Sequence, residues 1–550
     1  MIGQGPRDLS QDVSLLRLFQ TGSERMSEKG KVTRAAGIVG SATLLSRVFG
    51  YVRDMVTAYY FGAGPLADAF IAAFRIPNML RRLFAEGSLS ISFVPVFTET
   101  LSRDGRQEAY RMAGAALRLL SLILAVVAVI GVLASPWIVS AIAAGFKGDP
   151  AKFELTVLLS RIMFPYVVFI CLVALCMGIL NVLGHFAAPA LAPVALNLAM
   201  IASLVVGGVV TSDGETRVIF LAWGVLLGGL LQLGMQVPVL WRRGFQVFKP
   251  GPVWHPALAT VGRLMLPAVF GAAVYQVNMF IGTMLASLLD TGSITGLYYA
   301  DRLVQFPLGV FAISIGTAVL PSLSRQMADK DLAGVAETFS FGLRFTLFIT
   351  LPATAGLVVL RHPLIALLFG RGAFDAAAVD LTADALLYYA VGLWAISCVR
   401  VTVPLYYAFK DTRTPVQVAV AAIAMNIALS CLLMGPMAHR GLALAVSLSS
   451  MANFLLLVFL LVKRGMVQLD YGSILVSVAR SGVASLIMGG VVWQGLVWLA
   501  PDGGYTFVSA AVSTAFGVVA GVGVYFGAAR LLKSPELLTV QQIINRKRGR

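Results

Sequence analysis

Apolar runs long enough to cross a lipid bilayer recur along almost the whole chain. A membrane-spanning α-helix needs about 20 mainly apolar residues, whereas a membrane β-barrel shows alternating segments of about 10 residues. Cutting the sequence at polar turns, Gly/Pro clusters and charge pairs predicts about fourteen spans, near 36–60, 66–99, 112–143, 155–184, 189–211, 217–241, 258–289, 294–324, 338–360, 380–408, 414–434, 441–463, 474–499 and 506–531. The predicted fold class is therefore an all-α polytopic membrane protein with about 14 transmembrane (TM) helices.

Composition and charge agree with this fold class. The 550 residues are 58% hydrophobic and 12% charged, against roughly 45–50% apolar and about 25% charged in soluble domains. A formal net charge of +16 would suggest nucleic acid as the partner of a soluble protein, but most of these basic residues lie in predicted loops and tails. Positive charge in short loops marks the cytoplasmic side of a membrane protein. We therefore expect no nucleic-acid partner.

The distribution of loop charges predicts the orientation. Loops after even-numbered spans hold thirteen basic residues between Arg103 and Arg464. The opposite loops hold six, which are Lys147, Lys152, Arg217, Arg361, Arg371 and Arg440. This excess predicts that both termini are cytoplasmic, as the terminal RKRGR also indicates.

Matching residues recur 226 positions apart, such as Pro95 with Pro321 and Pro189 with Pro415, and the same offset superposes the predicted spans. Parallel repeats of this kind occur in several transporter folds. We therefore predict two six-helix lobes in repeat plus two C-terminal helices. The expected divisions are a disordered cytoplasmic tail at 1–34, in which Met26 is an alternative start, an N-lobe with TM1–6 at 35–243, a C-lobe with TM7–12 at 256–464, TM13–14 at 472–533 and a basic cytoplasmic tail at 534–550.

Charged residues lie inside the first two predicted spans. They are Arg47, Arg53, Asp54, Asp68, Arg75, Arg81, Arg82 and Glu86. A charge at the centre of a membrane helix costs between about 3 and 17 kcal/mol, so such residues rarely face lipid. They are expected to face a wet or ligand-filled interior.

Helical spacing favours one charged face in the second span. Asp68, Arg75, Arg82 and Glu86 follow one another at seven, seven and four residues, which places them in one stripe of a regular α-helix. Arginine is always protonated and offers a planar fork of donors that matches phosphate and carboxylate oxygens. The stripe therefore predicts a membrane-embedded anionic ligand, and helices that bend at glycines suggest alternating access.

The second lobe has its own intramembrane charges, Asp301 and Arg302, in YYADRLVQFPLGV. One interpretation is a neighbouring pair that partly neutralises itself near a helix end. The other is that Arg302 completes the cationic cavity from the opposite lobe. We favour the second, because the repeat places this span opposite the second span.

Motifs for catalysis or metal binding are absent from the sequence. It contains no Walker loop, no H-E-x-x-H and no nucleophile elbow, and its four cysteines lack metal-ligand spacing. We expect no enzyme activity, no cofactor and no metal. A cation-coupled drug antiporter would line its cavity with acids, a membrane glycosyltransferase would need a sizeable loop with acidic metal ligands, and a scaffold would not explain buried arginines.

Several long motifs resemble the MurJ (MviN) family, the lipid II flippases of the multidrug/oligosaccharidyl-lipid/polysaccharide exporter superfamily. These motifs are SRVFGYVRD, FGAG followed by ADAF, RIPNMLRRLFAEGS with FVP after it, and YYADRLVQFPLGV with LPSLS. The resemblance covers the chain from about Gly37 to Leu532.

The resemblance implies a bacterial cytoplasmic (inner) membrane protein that moves the undecaprenyl-diphosphate-linked peptidoglycan precursor (lipid II) from the inner to the outer leaflet. Its partners would be lipid II, membrane lipids and candidate cell-wall synthesis proteins. An exporter of another anionic lipid-linked oligosaccharide, or a cation-coupled drug antiporter, is the alternative.

The resemblance also assigns site residues. It places the family's cavity arginines on Arg47, Arg53, Arg81 and Arg302, whereas helix phase favours Arg82 over Arg81, and a helix distortion near Pro77 would reconcile the two. The last two helices would form a groove for the lipid tail. The substrate-binding residues predicted from motif and spacing together are Arg47, Arg53, Asp68, Arg75, Arg81, Arg82, Glu86, Asp301 and Arg302.

Overall fold

The computed structural model describes residues 37–247, 249–500 and 504–538, and within these ranges its regular structure is helical. The predicted disordered tail at 1–34 and most of the predicted basic tail at 534–550 lie outside these ranges. The helices up to the middle of the chain are α1 (37–61), α2 (Pro65–Leu80), α3 (Leu89–Arg103), α4 (Gly105–Leu133), α5 (Ser135–Ile142), α6 (Pro150–Met163), α7 (Tyr166–Val182), α8 (Ala187–Val210) and α9 (Gly214–Arg242). The remaining helices are α10 (Ala257–Ser287), α11 (Ser293–Pro307), α12 (Ile313–Ala328), α13 (Leu332–Val359), α14 (Arg361–Leu368), α15 (Ala376–Val391), α16 (Leu393–Ala408), α17 (Arg413–Lys463), α18 (Tyr471–Leu499) and α19 (Phe507–Leu531).

The helices confirm the predicted all-α polytopic membrane fold. Within the described residues nine helices are long and apolar enough to cross a membrane, and α15 with α16, bent by 42°, makes a tenth if the pair is one span. Each of the fourteen spans predicted from the sequence falls on a helical segment. Two of them, 414–434 and 441–463, lie on the single long element α17.

Two π-helical segments interrupt the helices that carry the charged motifs. The first, Arg81–Ser88, joins α2 to α3, and the second, Leu308–Ala312, joins α11 to α12. A π turn holds an extra residue and so rotates every later side chain about the helix axis. The distortion expected near Pro77 is therefore present, and the predicted single stripe is interrupted before Arg82 and Glu86.

The two π segments occupy matching positions in the sequence repeat. Shifted back by the 226-residue offset, the second segment falls on residues 82–86, inside the first. A proline in the preceding turn accompanies each segment, Pro77 for the first and Pro307 for the second. Because proline has no backbone N–H, each weakens the regular hydrogen bonding just before the π segment.

Packing between helices brings the charged segments together. In the first half α2 packs on α6, and α9 packs on both α7 and α8. In the second half α11 packs on α15 and α12 on α16, while α18 and α19 pack on each other and on α13. The helices α11 and α10 also contact the first half, α11 through α2 and α10 through α3 and the π segment Arg81–Ser88. The first π segment and α11 therefore both lie where the two halves meet.

A strained residue breaks α17 between its two predicted spans. Ala438 has φ 48° and ψ −132°, a backbone conformation that residues with a Cβ rarely adopt and that costs of order 1–3 kcal/mol. Replacing Ala438 by glycine is expected to raise the free energy of unfolding by about 1 kcal/mol, because glycine adopts positive φ without a steric penalty. Chemical unfolding of the purified protein in detergent measures the change.

Ala424, in a regular part of α17, provides the matched control. Ala424→Gly is expected to lower the free energy of unfolding by about 1 kcal/mol, because glycine weakens a helix interior. Equal destabilisation by the two substitutions would show that Ala438 is not strained.

Candidate functional site

A buried carboxylate joins the two halves of the protein. Asp54, on α1, is only 4% exposed. One of its oxygens, Oδ1, accepts hydrogen bonds from Arg53 Nε at 3.1 Å and Arg53 Nη2 at 2.6 Å. The other, Oδ2, lies 3.1 Å from Nε of Arg302, on α11. Asp54 is therefore shared between two guanidinium groups, one from each half.

Polar side chains from two other elements fix Arg53 in place. Its Nη1 donates to Asn197 Oδ1 on α8 at 3.1 Å, and its Nη2 donates to the Tyr298 hydroxyl at 3.3 Å. That hydroxyl in turn donates to Asp54 Oδ1 at 3.4 Å. Arg53 is 7% exposed, so its contacts are with the protein interior.

Arg302 is more open than Arg53. Its side chain is 35% exposed, and its guanidinium lies 5.5 Å from the centre of the Tyr298 ring. Its backbone carbonyl accepts a hydrogen bond from the Tyr51 hydroxyl at 3.0 Å. Arg302 can therefore contact a ligand while it remains bound to Asp54.

A third arginine completes this group. Arg47 is exposed, and its guanidinium lies beside Gly309 in the second π segment. A Cβ on Gly309 would stand 2.3 Å from Arg47 Nη1 and 2.8 Å from Nη2. Because Gly309 has no side chain, the Arg47 guanidinium can lie against its backbone.

We call this group the Asp54 cluster; it comprises Arg47, Tyr51, Arg53, Asp54, Tyr298 and Arg302. Its three arginines and one carboxylate leave two positive charges without a counter-ion inside the cluster. Arg53 and Arg302 both bind Asp54, the one carboxylate of the cluster.

A second charged group lies on a neighbouring face of α11. Asp301 accepts a hydrogen bond from the Gln305 side chain and lies within electrostatic range of Arg75, Arg82 and Arg302. Arg75, on α2, has a buried Nε that no acceptor among the described residues meets. Arg302 contacts Asp54 and Asp301 contacts Gln305, so each of these neighbours has a partner besides the other, and the cavity interpretation stays a prediction.

Arg81 and Arg82 are the first two residues of the π segment Arg81–Ser88, and they interact with different groups. Arg81 donates to Asn78 Oδ1 from Nε at 3.0 Å and from Nη2 at 2.8 Å, and it lies in electrostatic range of Cys171 on α7. Arg82 instead lies in electrostatic range of Arg75 and Asp301. Its electrostatic range thus includes charged residues of α2 and α11, and the roles of Arg81 and Arg82 in substrate binding both stay predictions. Glu86 lies in the π segment, and its side chain falls outside the described part of the chain.

Asp68 forms a separate contact between the halves. It is 1% exposed; its Oδ2 accepts from Lys152 Nζ at 3.0 Å and from the Gly292 backbone N–H at 2.8 Å. Its Oδ1 accepts from the backbone N–H of Thr295 at 3.0 Å and from the Thr295 hydroxyl at 2.7 Å. Asp68 therefore caps the N-terminus of α11 from another helix, where the helix dipole also favours a carboxylate.

Close backbone contacts join the two halves next to Asp68. Gly292 has φ 93°, and a Cβ there would lie 2.5 Å from the Ala63 carbonyl oxygen. Nearby, the Ala373 backbone N–H donates to the Tyr59 carbonyl at 2.9 Å. We call the contacts of Asp68 with Lys152, Gly292 and Thr295 the Asp68 latch.

Sequence reasoning missed several members of these groups. Asp54 was predicted to face the interior but was not included among the substrate-binding residues, and its position directly after Arg53 was the signal that could have added it. Lys152 was assigned to a loop, whereas it is 8% exposed and binds Asp68. Gly309 carried no signal, because its role depends on a side chain from the other half.

Comparison with known proteins identifies close relatives. The family model described as "Lipid II flippase MurJ" matches residues 57–513. A "Probable lipid II flippase MurJ" of Vibrio cholerae is 40% identical over 473 residues, which cover 84% of this chain and 89% of that protein. A "Lipid II flippase MurJ" of Burkholderia cenocepacia is 38% identical over 464 residues, with 84% and 89% covered. A solved structure described as lipid II flippase MurJ in an inward closed conformation superposes with a TM-score of 0.74 at 26% identity, covering 90% of this chain and 99% of the other.

Proposed function

We propose that this chain, which belongs to the lipid II flippase MurJ family and is a multi-pass inner-membrane protein, moves lipid II from the inner to the outer leaflet by alternating access. The observation that carries the proposal is the Asp54 cluster, in which cations from both halves meet inside a membrane protein. A ligand bound there contacts both halves at once. Binding can therefore bias their relative arrangement.

The charge of the cluster fits the diphosphate of lipid II. A diphosphate that links a lipid to a sugar carries two negative charges, which equals the surplus of the cluster. Phosphate oxygens can accept from the exposed Arg47 and from Arg302 in the planar geometry that guanidinium groups favour. Arg53, which is buried against Asp54 and Asn197, acts as a positioning residue for Asp54 and Arg302.

The proposed orientation places the Asp68 latch on the periplasmic side. Both termini are then cytoplasmic, and the closed latch describes a state in which the periplasmic end is shut. Lipid II would enter the Asp54 cluster from the cytoplasmic side, and release would require the latch to open. The apolar helices α18 and α19 are proposed to accommodate the lipid tail.

The orientation predicts the labelling of two exposed positions. A cysteine at Gly148 is expected to react with an impermeant thiol reagent added to intact cells. A cysteine at Arg103 is expected to react only after the membrane is opened. The opposite labelling pattern would place the Asp68 latch on the cytoplasmic side and contradict the proposed orientation.

A reconstituted transport assay tests the function. Purified protein in liposomes is expected to make labelled lipid II accessible in the opposite leaflet, and Arg302→Gln is expected to slow this movement at least ~30-fold, because one charge-assisted contact is worth roughly 2–5 kcal/mol. Arg103→Gln, an exposed arginine paired with Glu99, is the control and is expected to retain the full rate. Movement of another anionic lipid-linked oligosaccharide but not of lipid II would favour the alternative exporter.

Gly309→Ala is expected to slow lipid II movement about tenfold while the protein remains folded. The new Cβ would occupy the place of the Arg47 guanidinium and displace it. A displacement of about 1 Å can lower the rate of an enzyme reaction about 10²-fold, and we expect a smaller effect on transport. Gly282→Ala is the control, because a Cβ at Gly282 meets nothing within 4 Å. Equal rates of lipid II movement by the two variants would show that the position of Arg47 against Gly309 does not matter for transport.

A further inference from the structure

We propose that Arg75, Arg82 and Asp301 form a second subsite, which binds the charged groups of the peptide of lipid II while the Asp54 cluster binds its diphosphate. The inference rests on the proposed function and deepens it. It divides one charged interior into two parts with different ligand chemistry.

Arg75 supplies the first observation. Its guanidinium is always charged, and its Nε is buried without an acceptor among the described residues. A buried donor without a partner costs about 1–3 kcal/mol, more when it is charged. A bound anion would accept a hydrogen bond from this Nε and so remove the cost of the unpaired donor.

Asp301 supplies the second observation. It lies within electrostatic range of Arg75, yet no ion pair within 4.0 Å joins these two described residues. Tyr389 on α15 lies in range of both charges. A ligand with a carboxylate beside an ammonium or an amide N–H can bind between Arg75 and Asp301, because it supplies an acceptor for the first and a donor for the second.

Charge separates the two subsites. The Asp54 cluster has a surplus of two positive charges, which suits a diphosphate. The second subsite has two arginines and one carboxylate, so it offers both donors and an acceptor, which suits a peptide with carboxylates and N–H groups. An ionised diphosphate has only acceptor oxygens and no donor for Asp301.

The backbone of α11 connects the subsites. Asp301 and Arg302 are consecutive residues, and consecutive side chains on an α-helix point about 100° apart. Arg302 lies 3.1 Å from Asp54, while Asp301 lies in electrostatic range of Arg75 and Arg82 as well as of Arg302. One ligand that carries a diphosphate and a peptide on the same sugar can therefore occupy both subsites.

Two substrates distinguish the subsites in the reconstituted assay. One is lipid II, and the other is the same lipid-linked diphosphate disaccharide without its peptide. The wild-type protein is expected to move lipid II about tenfold faster than the peptide-free lipid. Arg75→Gln is expected to reduce this ratio to below twofold, whereas Arg302→Gln is expected to slow both substrates by the same factor.

Controls separate binding from folding. Arg103→Gln is expected to keep the tenfold ratio, and Arg75→Lys, which retains the charge, is expected to recover part of it. A ratio that Arg75→Gln leaves unchanged, or equal slowing of both substrates by Arg75→Gln, would overturn the second subsite.

If the wild-type protein moves neither lipid, the proposed function is overturned. Binding of a soluble muramyl peptide to the purified protein then tests the second subsite separately. Weaker binding to Arg75→Gln than to Arg302→Gln would support the subsite. Equal binding to wild type and Arg75→Gln would refute it.

Discussion

Replacing Asp54 by asparagine is expected to lower the rate of lipid II movement at least ~100-fold and to destabilise the protein by about 3 kcal/mol. Asparagine keeps the shape of the side chain but removes the charge that Arg53 and Arg302 share. Arg53 would then be a buried cation without a counter-ion, and Arg302 would lose its anchor. Transport in proteoliposomes and chemical unfolding in detergent measure the two effects.

A double variant separates the electrostatic cost from the role in transport. Combining Asp54→Asn with Arg53→Gln removes the unpaired buried cation, so most of the lost stability is expected to return while transport stays low. Glu99→Gln, which removes an exposed acid paired with Arg103, is the control and is expected to change stability by less than about 0.5 kcal/mol. A wild-type transport rate in Asp54→Asn would exclude Asp54 as the organiser of the cluster.

Replacing Asp68 by asparagine is expected to destabilise the protein by about 3–5 kcal/mol and to slow lipid II movement at least ~30-fold. The ion pair of Asp68 with Lys152 is fully buried, with side-chain exposures of 2% and 7%, so water does not screen the loss. The substitution also weakens the cap on α11, because an amide accepts fewer hydrogen bonds from Gly292 and Thr295 than a carboxylate does.

Accessibility of the latch distinguishes its opening from general instability. A cysteine at Ser293, which is 2% exposed, is expected to react with an impermeant reagent much faster in Asp68→Asn than in the wild type. The double variant Asp68→Asn with Lys152→Met is expected to recover stability, because it removes the unpaired ammonium, but not the closed latch. Slow labelling in Asp68→Asn would show that other contacts keep this end shut.

The helical fold could be read from the sequence, because it depends on local composition. A run of about 20 apolar residues leaves the backbone no alternative to a helix in hydrocarbon. Arginine inside such a run requires a polar partner, which predicts an anion near Arg302 whichever helices surround it.

The arrangement of the charges could not be read from the sequence, because it depends on contacts between distant residues. Asp54 is shared with Arg302, 248 positions away, and no local pattern encodes that pairing. The stripe from Asp68 to Glu86 assumed 3.6 residues per turn throughout, which the π segment violates. Lys152 was misassigned because the predicted span started at residue 155, whereas α6 begins at Pro150.

The two π segments place one backbone distortion in two chemical settings. Shifted by the 226-residue offset the segments overlap, and each continues a helix that carries charged residues of the candidate site. The second copy, LGVFA, has no charged residue, whereas the first contains Arg81 and Arg82. The same distortion therefore accompanies different contacts: the first segment presents Arg81 and Arg82, and the second leaves room for the Arg47 guanidinium beside Gly309.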